Sequence, residues 1–360
     1  MKVVVAPDKF AGTMSAARAG DAIADGWRSV RPDDEVVVVP MADGGAGTLD
    51  VVAFAVPDAV EMTVEVADAR GRARTARWLR LADGRALIEA AEACGLAWID
   101  ETQRDPRLAT SYGVGQLLDA VQRTGPEAIL IGLGGSATSD GGAGMALALG
   151  HRLLRADGNG VKVGAQDLVD LDHLQLAPRA WPPITMVSDV DNPLLGERGA
   201  VAVFAPQKGA GEDDLPVLER ALAHFADVVE RDVPGGPWRD LDGAGAAGGL
   251  GFGLMAFCGA RMVSGAAAVG DLVGLDGHIR GAEVVIAGEG KLDDQTLAGK
   301  TPSFVARAAR DAGARVLAVA GQVTGRGAEL FDDVAALGAG GLDRPVELTR
   351  ARAADLASRV

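Results

Sequence analysis

Five times along this chain a short apolar run stops at an acidic or glycine-rich loop. The runs at 3–6, 36–39, 128–132, 184–188 and 284–287 lead into Asp8, Asp43-Gly44-Gly45, GLGGSATSDGGAG, Asp189-Val190-Asp191-Asn192 and GEGKLDDQT. Runs this short and continuous, separated by helical patterns, predict α/β architecture with a largely parallel sheet. In such a sheet ligands collect at the carboxyl ends of the strands. One loop alone reads as a turn, because Gly and Asp are turn residues. Five at one topological position predict a binding face.

The remaining pattern fills in the frame. Residues 15–30 read as a helix capped by Ser15, with Ala19, Ile23, Trp27 and Val30 on one face. Residues 61–90 alternate around Gly-containing turns and predict antiparallel strands. Helices are expected at 111–124, 213–232, 302–313 and 346–359, and further strands at 201–204 and 316–320. With 4% aromatic residues, the core must be built from Ala, Val, Leu and Ile. The length of 360 residues suits two domains, and no repeat or polar linker separates them. The chain is therefore expected to cross between them more than once.

A net charge of −15 argues against nucleic acid or an anionic membrane as partner. An anionic small molecule stays possible, held by local cations and helix N-termini. Cys94 and Cys258 form no ligand spacing and read as reduced cytoplasmic thiols. The uncharged stretch 243–260 is too glycine-rich, and too closely flanked by Asp242 and Arg261, for a membrane span. The first residues, MKVVVAPDKF, do not form a signal peptide.

The loop 132–144 offers small residues, hydroxyls and backbone N–H groups before a helix start, the chemistry of a phosphate cradle. Its candidate nucleotide contacts are Gly134, Gly135, Ser136, Thr138, Asp140, Gly141 and Gly142. Gly132-x-Gly134-x-x-Ala137 imitates a dinucleotide fingerprint, the basis of an alternative reading as a nicotinamide-dependent dehydrogenase. SATSDGG prolongs the loop where that fingerprint needs a helix. Gly299-Lys300-Thr301 has the tail of a Walker loop, but Asp294 stands where its opening glycine belongs. Only six lysines stand beside 29 arginines, yet Lys9, Lys208, Lys291 and Lys300 all fall in loops of this kind. A compact ammonium suits a phosphate or carboxylate oxygen. Cys and His show no metal-ligand spacing, whereas carboxylates at loop tips suit Mg²⁺.

At these loops the chain resembles the type-I glycerate kinase family along almost its whole length. The resemblance is carried, in family order, by APDKFAGTMSA, VPMADGGAGT, DPRLATSYGVGQL, GLGGSATSDGGAGM, SDVDNPLLGERGA, FAPQKGA, GAGAAGGLGFGL and GEGKLDDQT. It implies two α/β domains, one Rossmann-like and discontinuous, the other mixed, with the active site in the cleft between them. The expected division is 1–60, 100–150 and 280–360 against 61–99 and 151–279. It implies ATP, Mg²⁺ and D-glycerate, with 2-phosphoglycerate as product and 3-phosphoglycerate or a related hydroxy acid as alternatives. A monomer or homodimer is expected. Asp189, at a strand end beside a second carboxylate, Asp191, is expected to orient or deprotonate the attacking hydroxyl, with Asp8 or Asp43 as the alternative base. Lys208 and Lys291 would neutralise phosphate or carboxylate charge, and Glu289 or Asp293 would reach the metal. Asp43, Gly44, Gly45, Lys9, Asp191 and Asn192 are expected to contact substrate. One departure stands out: Lys9 occupies a place where the family has Ser, and Ala11 one where it has Lys.

Overall fold

Strands buried on both faces cannot alternate polar and apolar residues, and the first unit of this protein follows that rule. The computed structural model describes residues 1–297, 299–338 and 340–360. In chain order its strands are β1 (Lys2–Pro7), β2 (Glu35–Val38), β3 (Val60–Ala67), β4 (Ala73–Arg80), β5 (Ala86–Glu89), β6 (Ile129–Gly132), β7 (Arg152–Leu154), β8 (His173–Gln175), β9 (Ile184–Val187), β10 (Arg261–Val263), β11 (Val284–Leu292), β12 (Arg315–Val323) and β13 (Asp333–Ala336). The chain divides into two units: Met1–Asp43, Gly47–Pro57 and Ser264–Val360 form the first, and Gly44–Ala46 with Asp58–Val263 the second.

In the first unit five parallel strands run in the order β13-β12-β11-β1-β2. Val3, Val4 and Val5 in β1 and Val285, Ile286 and Ala287 in β11 are all fully buried, as strands covered on both faces require. The order reverses between β1 and β11, because the chain leaves β1 toward β2 and later returns to β1's other side. That makes their carboxyl ends the switch point of the sheet. The helix Ala16–Val30 has its N-cap at Ser15, whose hydroxyl accepts from Arg18 N at 3.3 Å. Ala19, Ile23 and Trp27 are buried, but Val30, expected on the same face, is 43% exposed in the last turn.

The second unit carries a six-stranded sheet, β10-β9-β6-β5-β4-β3. β10, β9, β6 and β5 are parallel, and β4 and β3 continue antiparallel. The antiparallel reading of 61–90 is thus realised, and β3 leaves alternate residues in solvent. Residues 100–150 differ from expectation. They belong to this unit, because β6 is hydrogen-bonded between β5 and β9. Conversely, 264–279 belongs to the first unit, where Gly270 lies against Phe304.

Two element assignments also change. Residues 201–204 were expected as a strand but form the helix Ala200–Phe204. Ala200 and Val201 are its buried positions, and the buried Ala205 and Lys208 follow in the next turn, a spacing of helical rather than strand period. The 284–287 run continues to Leu292, so Glu289 and Lys291 sit within the strand instead of in a loop after it. Pairing with β12 persists to Leu292↔Val323 and holds this extension straight. No described helix is long and apolar enough to cross a membrane.

Candidate active site

The switch point of the first unit's sheet carries a cavity of about 700 Å³. It is lined by Asp8 and Lys9 beyond β1, Asp43 beyond β2, Glu289 and Lys291 in β11, and Asp293 and Lys300 after it. Backbone pairing fixes the arrangement: Pro7 lies beside Gly288, and Asp8 N donates to Gly288 O at 2.8 Å. Small residues let the strands meet there, since a Cβ at Gly288 would come within 2.9 Å of the Pro7 side chain.

Asp8 is buried, and its Oδ1 accepts from Lys9 N at 2.6 Å. Burial pushes its carboxyl up to about 6, Asp43 adds to the rise, and the Lys9 charge opposes it. Burial likewise pushes Glu289 up to about 7; Lys300 opposes this, and Asp8, Asp43 and Asp293 reinforce it. Glu289 Oε2 is enclosed without a hydrogen-bond partner. A buried carboxylate oxygen left unpaired among three other carboxylates calls for a cation. Among the described residues no group of three or more His, Cys, Asp and Glu could hold a metal ion by itself. The site therefore fits Mg²⁺ shared between one or two carboxylates and substrate phosphates, the way this ion is usually held. Lys291 reaches Asp293 at 3.1 Å and is half exposed. Lys300 is the N-cap residue of the helix Thr301–Asp311, so that helix start and its ammonium lie at the same cavity. Lys9 and Ala11, the two departures in the first motif, both line it too.

Lys300 and the turn carrying Gly338, Gly340 and Gly341 were absent from the sequence-derived site. The signals for the first were the Gly299-Lys300-Thr301 tail and the concentration of the few lysines in these loops. Nothing in the sequence marks the turn as a wall of this cavity.

The other expected residues belong to the second unit. Gly44 adopts φ +82 and presses on the end of β9, where a Cβ would meet Val187 O at 2.1 Å. Gly45 lies in the same tight contact, 2.6 Å from where a Cβ on Gly134 would sit. Both glycines thus serve close backbone approach. Asp189 is exposed after β9; Asp191 is exposed and pairs with Arg198 at 3.1 Å, and Asn192 Nδ2 donates to Arg198 O at 2.7 Å.

The 132–144 loop is largely interior. The glycine-rich segment Ala246–Cys258, helical except for a left-handed kink at Ala247–Gly249, packs directly on it: a Cβ at Gly248 would fall 1.9 Å from Thr138 O, and Gly141 N donates to Gly248 O at 3.1 Å. Gly142 faces Gly253 in the same contact. Asp140 is 0% exposed, and its carboxylate accepts from Ser111 N, Ser111 Oγ, Gly142 N and Gly144 N at 2.8–3.2 Å. Asp140 thus ties the loop together, and Thr138, Gly141 and Gly142 are packed from above. Gly135 is exposed and Gly134 half-buried, but Gly134 N already donates to Gly44 O at 3.3 Å and Gly135 O accepts from Leu96 N at 2.8 Å. The fingerprint is not completed either, because no helix begins before Ala143. Lys208 is 2% exposed, and its Nζ donates to Thr138 O at 2.6 Å and Ser136 Oγ at 3.4 Å. Burial pulls its ammonium down to about 8.

A doubly wound parallel sheet with buried carboxylates and lysines at its switch point defines an α/β enzyme suited to anionic groups and a hard cation. Glycerate 2-kinase of Escherichia coli (strain K12) is 40% identical over 352 residues, covering 95% of this chain and 89% of its own length. Glycerate kinase of Bacillus subtilis (strain 168) is 41% identical over 329 residues, covering 90% and 86%. A solved structure described as glycerate kinase 2 from Salmonella typhimurium LT2 superposes with a TM-score of 0.84 at 37% identity, covering 100% of this chain and 98% of that one. The model of the glycerate kinase family matches residues 3–356, and the chain belongs to that family.

Proposed function

We propose that the protein transfers the γ-phosphoryl group of ATP to the 2-hydroxyl of D-glycerate, giving 2-phosphoglycerate and ADP. The observation that carries this is the pair of buried, raised carboxylates, Asp8 and Glu289, at the switch point of the parallel sheet. Mg²⁺, when bound, neutralises phosphate charge and orients the group in transfer. Glu289 would hold that ion through its buried Oε2, with Asp293 as a second oxygen ligand, directly or through water. Lys300, at the start of the helix Thr301–Asp311, and Lys9 hold phosphate oxygens through charge and aligned N–H groups.

The oxygen–phosphorus bond forms as the bridging β–γ bond breaks, and the hydroxyl proton must leave. A base with its pKa near 6 suits that task near neutral pH. Asp8 therefore becomes the favoured base, with Asp43 beside it. Asp189 is the weaker candidate, because it is exposed after β9 and belongs to the other unit. Lys291 keeps its proposed part in neutralising phosphate charge, and the exposed Gly135 remains the proposed nucleotide contact of the 132–144 loop. We place the enzyme in the cytoplasm as a monomer or homodimer; sedimentation tests the assembly state. Phosphorus NMR of the product of D-glycerate, ATP and Mg²⁺ tests the reaction. A 2-phosphoglycerate signal is expected. A 3-phosphoglycerate signal would overturn the regiochemistry, and unreacted ATP beside folded protein would overturn the substrate.

A further inference from the structure

Thr301 is the first residue of the helix Thr301–Asp311, directly after Lys300, and the phosphoryl-transfer chemistry above gives it no part. It is 1% exposed, and its Oγ1 is enclosed without closing a hydrogen bond of normal geometry. A buried hydroxyl in that state is costly, so an acceptor within its reach matters. A threonine inside a helix can donate to the carbonyl four residues back, but from the first position that carbonyl lies outside the helix. The acceptor it faces is Asp8. Burial raises the Asp8 carboxyl, Asp43 adds to the rise, and Lys9 and the Thr301 hydroxyl pull it back. Both residues belong to the first unit, where Asp8 and Lys300 line the same cavity.

Asp8 needs what this hydroxyl offers. Its Oδ1 accepts from the neighbouring backbone, Lys9 N, at 2.6 Å. A carboxylate gripped through one contact still turns about its last torsion, which is broad and two-fold. A second donor on a rigid element stops that rotation and leaves the remaining lone pairs directed at substrate. The helix Thr301–Asp311 is such an element. Val305, Ala306 and Ala309 bury one face of it, and Pro302 in its first turn presets the backbone without costing a helical hydrogen bond.

We propose that Thr301 is a positioning residue for Asp8: its hydroxyl donates to the Asp8 carboxylate and so fixes the oxygen that meets the reacting hydroxyl. The role rests on the reading of Asp8 as the base. Thr301 keeps its own proton throughout, and the proton of the attacking hydroxyl passes to Asp8. The contact is loose in the free enzyme and tightens when the reacting groups are in place, as catalytic hydrogen bonds commonly do.

The test is steady-state kinetics with D-glycerate, ATP and Mg²⁺ on Thr301→Val, Thr301→Ser, Asp8→Asn and the Thr301→Val/Asp8→Asn double variant, with folding checked by circular dichroism. Valine keeps the shape of threonine and lacks the donor, whereas serine keeps the donor and lacks the methyl. Thr301→Val should lower kcat at least about tenfold, the scale of one charge-assisted hydrogen bond, with both KM values within about twofold. Thr301→Ser should hold kcat within about threefold of wild type. The double variant should be no slower than Asp8→Asn alone, because the two residues act as one unit. If Thr301→Val does not fold, Thr301→Ala replaces it, since alanine differs from serine by the hydroxyl alone. Wild-type kcat in the donor-free variant beside a slow Asp8→Asn overturns the positioning role and leaves the base standing. Thr301→Ser as slow as the donor-free variant also overturns it, because packing of the methyl then explains the loss. Normal turnover in Asp8→Asn overturns the base itself, and the positioning role with it.

Discussion

Glu289→Gln removes a charge from the switch-point cavity with almost no change in size. Its effect on stability can be worked from the raised carboxyl. The folded protein keeps the Glu289 proton up to about 7, whereas the unfolded chain releases it near 4.5. The folded state therefore binds more protons across that window, and the unfolding free energy falls as pH rises through it, then levels off above 7. The full gap corresponds to roughly 3 kcal/mol. Glu289 keeps some solvent contact, and screening reduces this by about half; ~1 kcal/mol then accrues between pH 5 and pH 8. The glutamine variant carries no such term. Its Tm relative to wild type should move upward by about 2–4 °C from pH 5 to pH 8, given the size of the first unit. Scanning calorimetry in chelator measures this directly. Adding Mg²⁺ and ATP at pH 8 should then stabilise wild type and leave the variant almost unmoved. Parallel Tm-against-pH curves for the two proteins would refute the electrostatic account of the cavity.

Asp8→Asn should lower kcat by about 10²-fold or more while the fold is retained, and a near-normal turnover number would remove Asp8 from the role of base. Gly248→Ala forces a Cβ to 1.9 Å from Thr138 O at φ +69, so about 2–4 kcal/mol of stability should be lost. An unchanged urea midpoint would contradict the packing of the glycine-rich helix on the 132–144 loop. Asp140→Asn should cost at least about 2 kcal/mol through stranded donors around Ser111 and Gly144. Loss of activity at unchanged stability would instead return that residue to the nucleotide.

Much of the frame was legible because it depends on local pattern. Strands β1, β2, β6 and β9 fall where continuous apolar runs end in Gly or Asp, and Ser15 marks a helix start by its own hydrogen-bonding capacity. Asp8, Asp43, Glu289 and Asp293, singled out separately in sequence, meet at one cavity because strand order brings their loops together. What could not be read was whether a polar residue faces a ligand or the interior. Asp140 and Asp8 occupy similar glycine-adjacent loops, yet one has its oxygens filled by backbone donors and the other lines a cavity. That difference arises from tertiary placement: the start of the helix Tyr112–Gln122 brings Ser111 N and Oγ onto Asp140, which no local pattern around residue 140 announces. Domain membership of 100–150 failed for the same reason, since a strand's partners are set by pairing and not by its sequence.

The topology also sets a timetable for synthesis. β1 and β2 emerge early, but β1's other neighbour, β11, begins only at Val284, after the whole second unit has been made. At ribosomal speeds of about 5–20 residues per second, the nascent β1–β2 pair waits roughly 12–50 s with one flank open. During that interval its unpaired edge of valines is a target for other nascent chains and a natural client for a chaperone. The second unit, by contrast, has every strand in hand once Val263 is out, so its sheet can be complete before the first unit's is.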